Sequence, residues 1–391
     1  MGYRALPGTP FFVKIGQMKL HWVDYWQRVT GGRLYGYTVS AQFLRLFLLG
    51  EGVELTESAD TAIHYCHPFL YRPIAGKRNL IFTMHESPDL DKDFMRAFEN
   101  CDGILTPSQF CADVFRKWQR VKPVRVSPLG YSELDYTFKE RARPKVISGS
   151  IDETCDKLDW YIDEVEKKIV RGNVLPQRPH KPISILQNIE PLVLEEPFVF
   201  LYSGAPNARK GWPRILGAWT HFFDELPWCL LFAKTSQADG NGKMSKMNNV
   251  VVDTRQYVMS DINTMLHESH CFVLPSMGEG FGLTQIEALA TGLPLITTRW
   301  SGHLDFCNDD NCYFTTHVLE KAAQGKSDEL MLTAAIADIP SVARNMVKVF
   351  RDYDSALAKA RCGYDMVRSK FTWGHAAQLL IKNVKELERH R

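Results

Sequence analysis

Glu279 and Glu287 stand eight positions apart in GEGFGLTQIEALATGLPLI, residues 278–296, with Gly278, Gly280 and Gly282 around the first and an apolar pattern around the second. Glycine lets a backbone approach a ligand closely, and the free N–H groups at a helix start make an anion site suited to phosphate. The strand-like CFVLP ends at Pro275, and Thr284-Gln285-Ile286-Glu287 has the spacing of a capping box, which predicts a helix from about Thr284. Glu279 would then lie on the rim of the anion site. A plainer reading is also open, in which Glu287 only closes the cap and Glu279 is a solvated loop carboxylate.

Other residues able to do chemistry are dispersed. His85-Glu86 in LIFTMHESPDL ends one strand-like run, and His64 and His67 in IHYCHP end the one before; a lone histidine is more often structural. The nine cysteines are scattered without a C-x-x-C pair, which favours reduced, buried thiols over disulfides or zinc ligands. DLDKD (89–93) reads as a helix start rather than a metal site, and no G-x-G-x-x-G follows the first strand, which speaks against an NAD-dependent dehydrogenase. FRKWQRVKPVR (115–125) and KERARPK (139–145) concentrate Arg116, Lys117, Arg120, Lys122, Arg125, Lys139, Arg141, Arg143 and Lys145. Such runs are usually solvated faces; if functional, they suit an anionic acceptor, with Arg120, Lys122 and Arg125 the candidate contacts. The aromatic stretch HWVDYWQRV (21–29) could stack sugars or bases, or simply pack.

A chain of 391 residues, 45% hydrophobic, is sized for two domains that position these groups, and its net charge of +2 excludes polyelectrolyte character. No signal-peptide core and no apolar run near the ~20 residues of a membrane span are visible, which points to a soluble cytoplasmic protein. Strands alternate with helices in the second half: FVFLYSG, a helix near Pro213, WCLLFAK, NVVVDT, a helix from Ser260, HCFVLP, a helix near 284–291 and LPLITT. The first half repeats this grammar with strands at FFVKIG, TAIHYC, NLIFTM, DGILTP and VRVSPL and a helix at TVSAQFLRLFLL. The α/β class follows, with two Rossmann-like doubly wound halves enclosing a cleft at the carboxyl ends of their strands. Segment 139–195 breaks the pattern and reads as an elaboration plus linker.

PSMGEGFGLTQIEALATGLPLITTRWSGH resembles the E-x7-E signature of retaining, GT-B-fold glycosyltransferases of the GT4 type, matching both glutamates, the glycine spacing and the following A-x-G-x-P. The resemblance implies that Glu279 binds donor sugar hydroxyls, that the amides of Gly280, Phe281, Gly282 and Leu283 hold a diphosphate, and that Glu287 binds ribose. LYSGAPNARKGW resembles the family's G-R-x4-K-G loop, with Lys210 at the lysine and Ala205 where an arginine is usual. A buried diphosphate needs cations, so Arg209 is the expected substitute. Gly36 and Tyr37 resemble the family's early glycine turn, His85 its strand-end histidine facing the donor sugar, and FTWGHAAQLLIKNVKEL its terminal helix, which crosses back to the first domain.

The resemblance implies an acceptor-binding domain over 1–190, with 139–190 as insertion and linker, a nucleotide-sugar domain over 191–370, and the crossing helix over 371–391. The implied reaction moves a sugar from a UDP- or GDP-sugar to an acceptor hydroxyl with retention, with Glu279, Lys210 and His85 as catalytic groups and neither metal nor cofactor. The expected acceptor is a glycan or lipid-linked saccharide, with peripheral membrane contact, or alternatively a hydroxylated base in nucleic acid. A sugar-nucleotide epimerase and a silent sugar-nucleotide-binding module are the rival readings.

Overall fold

A computed structural model describes residues 18–24, 36–119, 122–172, 182–236, 249–323 and 331–389. The first half runs β1 (Lys19–Asp24), α1 (Gly36–Gly50), β2 (Glu54–Leu55), β3 (Thr61–Tyr65), β4 (Arg78–Phe82), α2 (Lys92–Asn100), β5 (Gly103–Thr106), α3 (Gln109–Trp118) and β6 (Val124–Val126). Its strands form one parallel sheet in the order β2-β1-β3-β4-β5-β6. The strand expected at FFVKIG lies outside the described residues, and β1 occupies KLHWVD instead.

The chain continues through β7 (Val146–Ser148), α4 (Ile151–Gly172), α5 (Pro182–Ile185), β8 (Val193–Leu194), β9 (Phe198–Ser203), α6 (Trp212–Ala218), β10 (Cys229–Lys234), β11 (Val250–Asp253) and α7 (Met259–His267). It ends with β12 (Cys271–Leu274), α8 (Leu283–Ala290), β13 (Leu295–Thr298), β14 (Tyr313–Thr315), β15 (His317–Ala323), β16 (Met331–Ala337), α9 (Ile339–Arg351), α10 (Tyr353–Lys370) and α11 (Trp373–Arg389). A second parallel sheet has the order β11-β10-β9-β12-β13-β14. All four residues of β12 and of β13 are buried, as a parallel sheet covered on both faces requires, which is why these strands read as unbroken apolar runs. The antiparallel pair β15–β16 was not among the elements expected from the sequence.

Two expectations are corrected by packing. The acidic helix α4, read as an elaboration of the first half, lies on the second: Arg344 pairs with Asp163 and Glu166, and Arg351 with Asp156 and Asp159. Its buried face, Cys155, Leu158, Ile162 and Val165, joins the core, which is what holds it there. The second correction concerns KERARPK, which is not a free basic face. Arg141 donates to the carbonyls of Leu266, Ser269 and Thr291 at 3.0, 3.3 and 2.6 Å, so one guanidinium satisfies carbonyls at the ends of both α7 and α8. Lys139 reaches the His267 carbonyl and Glu268, Arg143 the Arg351 carbonyl, and Lys145 lies 3.6 Å from Glu195.

The last helix ties the ends together. Trp373 stacks on Phe43 of α1 with centroids 5.3 Å apart, Asn383 donates to the Val126 carbonyl, and Thr61 donates to Glu388. Where the chain enters this helix, the backbone of Tyr131 pairs with Phe371 and Trp373, so the two crossings between halves lie side by side. All nine cysteines are free, and only Cys362 is exposed. No helix among the described residues is long and apolar enough to cross a membrane.

Replacing Arg141 with alanine is expected to lower unfolding free energy by about 2 kcal/mol, since several helix-end carbonyls lose a charged donor at once. Arg141→Lys should restore little of it, because one ammonium cannot span both helix ends. Equal thermal midpoints for wild type and Arg141→Ala would show that water replaces the guanidinium without cost.

Candidate active site

The glycine loop sits where the second sheet ends. β12 stops at Leu274, the chain turns through Ser276 to Gly282, and α8 begins at Leu283 with Gly282 as its cap residue in a left-handed conformation, φ 106°. No side chain caps α8, so the expected capping box is absent: Thr284 donates to Gln285, and Glu287 turns instead toward Tyr136. Gly282 is required twice over, because a Cβ there would also stand 2.8 Å from His303 Cβ. Among the described residues, no carbonyl or side chain takes up the N–H groups of Gly280, Phe281, Gly282 or Leu283. Four neighbouring amides at a helix start therefore form a ready anion cradle.

Glu279 is not a rim residue. It is 5% exposed, and Lys210 Nζ donates to both its oxygens at 2.8 and 2.9 Å. Burial alone would raise its carboxyl, but Lys210 and Arg209 outweigh that and hold it below the ordinary carboxylate value. Its own N–H donates to Ser301 Oγ at 2.7 Å, and its carbonyl accepts from Gly302. Ser301 adopts φ 77°, an uncommon conformation for a residue with a side chain, stored beside the loop it fastens. His303, fully buried, is anchored to the Thr298 carbonyl at 2.7 Å and to Thr297, and burial lowers its pKa.

Lys210 arrives from the loop after β9, the strand next to β12. Arg209, its neighbour, donates to the Gly278 carbonyl at 3.2 Å and lies 3.3 Å from Glu86 of the first half. The guanidinium thus runs along the glycine loop, although Ala205 carries no charge. The first half closes in tightly: a Cβ on Gly280 would stand 2.8 Å from Met84 Cβ, and Ser108, the cap of α3, donates to the Gly280 carbonyl at 2.7 Å.

His85 is brought to this contact, at the carboxyl end of β4, with its carbonyl accepting from Cys111 Sγ, which also reaches Gly280. Its Nε2 donates to the Asp89 carbonyl at 2.6 Å and its ring packs on Phe94. Tyr37, next to Gly36 at the start of α1, exchanges hydrogen bonds with Met84 N–H and C=O and so fixes the strand end that leads to His85. Glu287, half-buried beside Tyr136, has its carboxyl pushed up to about 7 by loss of water, with the Tyr136 hydroxyl and Lys210 opposing.

Several predicted groups lie elsewhere. His64 is buried and bonded to Asn79, with its pKa lowered to about 4 by burial, and His67 caps a short turn, so both are structural. Arg125 is turned away from the cleft, paired with Glu386 of α11 at 3.2 Å, because its strand faces that helix. The Lys122 backbone closes a turn with Gln119, and Arg120 lies outside the described residues. Of HWVDYWQRV, residues 21–24 are strand, and Trp22 stacks on Tyr65. The loop Arg255–Tyr257 is folded over Asp253, which accepts from Arg255 and from the Tyr257 hydroxyl. It borders a cavity of about 500 Å³ walled by Val199, Phe232 and Met265, which is not where Lys210 and Glu279 meet. Ser301, His303 and Tyr136 were not singled out by sequence, and Glu86 was named only as the residue after His85. Ser301 and His303 lie inside the quoted SGH, whereas Glu86 and Tyr136 gave no signal of partners more than a hundred residues away.

Residues 233–380 match a family described as family 4 glycosyltransferase in conflict systems. A sucrose synthase from Acidithiobacillus caldus is 32% identical over 111 residues, 28% of this chain and only 12% of that protein. HepE from Anabaena, solved with UDP-glucose, aligns over 95% of this chain and 100% of its own at a TM-score of 0.61 and 11% identity. Sucrose-phosphate synthase from Thermosynechococcus elongatus aligns over 91% and 79% at a TM-score of 0.56 and 14% identity. At such identities the likeness speaks for the fold, which is GT-B. The GT-B fold is thus shared across nearly the whole chain, and the family 4 glycosyltransferase match falls on the half that carries the glycine loop.

Proposed function

We propose that the chain transfers a sugar from a nucleoside diphosphate sugar of the UDP class to an acceptor hydroxyl, with retention of anomeric configuration. The observation that carries this reading is the Lys210–Glu279 pair beside four unclaimed loop amides: a cation and a carboxylate bonded to each other where a diphosphate and a sugar would separate them. On donor binding the ammonium turns to the diphosphate and the carboxylate to the sugar hydroxyls. Negative charge grows on the departing diphosphate in the transition state, and Lys210, Arg209, the amides of 280–283 and the α8 N-terminus lie ready to meet it without reorganisation. These groups supply the neutralisation that a metal would otherwise provide, so turnover is expected to survive EDTA. No protein nucleophile is needed if the acceptor attacks from the leaving-group side and the diphosphate oxygen takes its proton. Likeness of fold to HepE, which was solved with UDP-glucose, supports the UDP class.

A neutral glycan or glycolipid hydroxyl is the acceptor favoured here, because Arg125, Lys139, Arg141, Arg143 and Lys145 are occupied by protein partners rather than arrayed for a polyanion.

Nucleotide release over UDP-, GDP- and ADP-sugars, with glycan, glycolipid and hydroxymethylated-DNA acceptors, is expected to show acceptor-dependent release from a UDP-sugar. Glu279→Ala should lower it by about 10²-fold or more, and Arg209→Ala by about tenfold. Donor conversion without any acceptor would replace the transferase by an epimerase, and binding without turnover by a silent module. Wild-type rates in Arg209→Ala would end its role as substitute for the arginine missing at Ala205.

Glu287 gives a pH signature. Above about pH 7 its carboxyl is ionised and accepts from both ribose hydroxyls, while below that value it holds a proton. UDP-glucose affinity should therefore rise between about pH 6 and pH 8 and level off above, since the ligand itself does not titrate there. Glu287→Gln is expected to flatten that rise, and a slope unchanged in the variant would remove Glu287 from the ribose site.

A further inference from the structure

Asp89 joins three things that the fold otherwise keeps apart. Its carbonyl accepts from His85 Nε2 at 2.6 Å. Its carboxylate accepts from Lys321 Nζ at 2.6 Å and from the Thr333 N–H at 2.8 Å, and these are cross-strand partners in the β15–β16 hairpin. Ser87 completes the contact, donating to the Thr333 carbonyl at 2.9 Å while accepting from the Asp89 N–H. Both main-chain groups of Thr333 are thus taken by the 87–89 turn of the opposite half. Trp118 of α3 holds that turn from the other side through the Pro88 carbonyl at 2.8 Å.

The same hairpin is fastened to the glycine loop, because the Ala335 N–H donates to the Met277 carbonyl at 3.0 Å, two residues before Glu279. The same strand pair therefore touches the loop bearing Glu279 and the turn bearing the His85 acceptor. A carbonyl can only accept, so His85 Nε2 carries the proton, and in the neutral ring Nδ1 is left as the one acceptor. Supporting hydrogen bonds of this kind set both tautomer and orientation of a working imidazole.

We infer that the β15–β16 hairpin, acting through Asp89, positions His85: docking of Thr333 and Lys321 on the 87–89 turn fixes the ring in its Nε2–H tautomer against the glycine loop when the halves meet. Asp89 and Lys321 are positioning residues that touch no substrate. The inference rests on the transferase reading only for its effect on rate, and not for the contact itself.

The test compares full-length wild type with Asp89→Ala, Lys321→Met, His85→Gln and the double variants that combine each with His85→Gln. Lys321 is exposed, so its replacement leaves the core intact if Asp89→Ala fails to fold. With UDP-glucose as donor, Asp89→Ala and Lys321→Met are expected to lower kcat by about tenfold, with KM within about twofold, as for misorientation of a group rather than loss of binding. In the His85→Gln background neither should lower kcat further. Losses that multiply in that background, or an unchanged kcat in both single variants, would overturn the inference. Long-range ¹H–¹⁵N spectra of the imidazoles, with His85→Gln to assign the signal, should show the Nε2–H tautomer in wild type and tautomer exchange in Asp89→Ala. An unaltered His85 signal in that variant would also overturn it. If wild type turns over no donor while the tautomer still depends on Asp89, the transferase reading falls and the positioning contact stands.

Discussion

A carboxylate shut away from water persists only if a cation meets it, and Glu279 sets that condition for the whole molecule. Lys210 satisfies it from the loop after β9, which requires β9 to lie beside β12, the strand that delivers the glycine loop. Pairs of this kind add little net stability, because desolvation offsets attraction, but they make one arrangement far better than its neighbours. Two charges that will each be wanted by different parts of a donor are thereby kept in place and mutually neutralised.

Close approach of the two halves follows from the same loop. Side chains at 278 and 280 would collide with Glu86 and Met84, so glycine there lets β4 deliver His85 and Glu86 directly against the backbone that carries Glu279. Arg209 then spans from the Gly278 carbonyl to Glu86, and Ser108 and Cys111 reach the Gly280 carbonyl. The carbonyls of Gly278, Glu279 and Gly280 are spoken for, by Arg209, by Gly302 and by Ser108 with Cys111, which leaves the amides of 280–283 as the groups open to an anion. Behind them, Ser301 and His303 hold the loop's other side.

Charge in this sequence is a poor guide to charge on this surface. KERARPK looks like a polyanion site, yet its arginines satisfy carbonyls at the ends of α7, α8 and α9, and the acidic face of α4 meets Arg344 and Arg351. Helix ends carry unpaired carbonyls whose need for donors is invisible until the helices are placed. The basic segment is better understood as the mortar by which the interdomain stretch adheres to the second half.

The sequence by itself determined the elements and the loop chemistry. Buried parallel strands are continuous apolar runs, and glycines at the end of such a run mark a tight turn into the next helix, so the α/β class and the loop at 278–282 were legible from local pattern. The terminal helix was also legible, through the resemblance of FTWGHAAQLLIKNVKEL to the family's last helix. Tertiary structure alone decided which side chains meet. Glu86 with Arg209, Tyr136 with Glu287, Asp89 with Lys321 and Arg141 with two helix ends are contacts over 120 to 230 residues of chain or more, and no periodicity encodes them. It also turned Thr284 out of its expected cap, because the left-handed backbone at Gly282 had already started the helix. Local sequence sets φ and ψ, burial and charge type, whereas the partner of a charge is set by packing the two halves together.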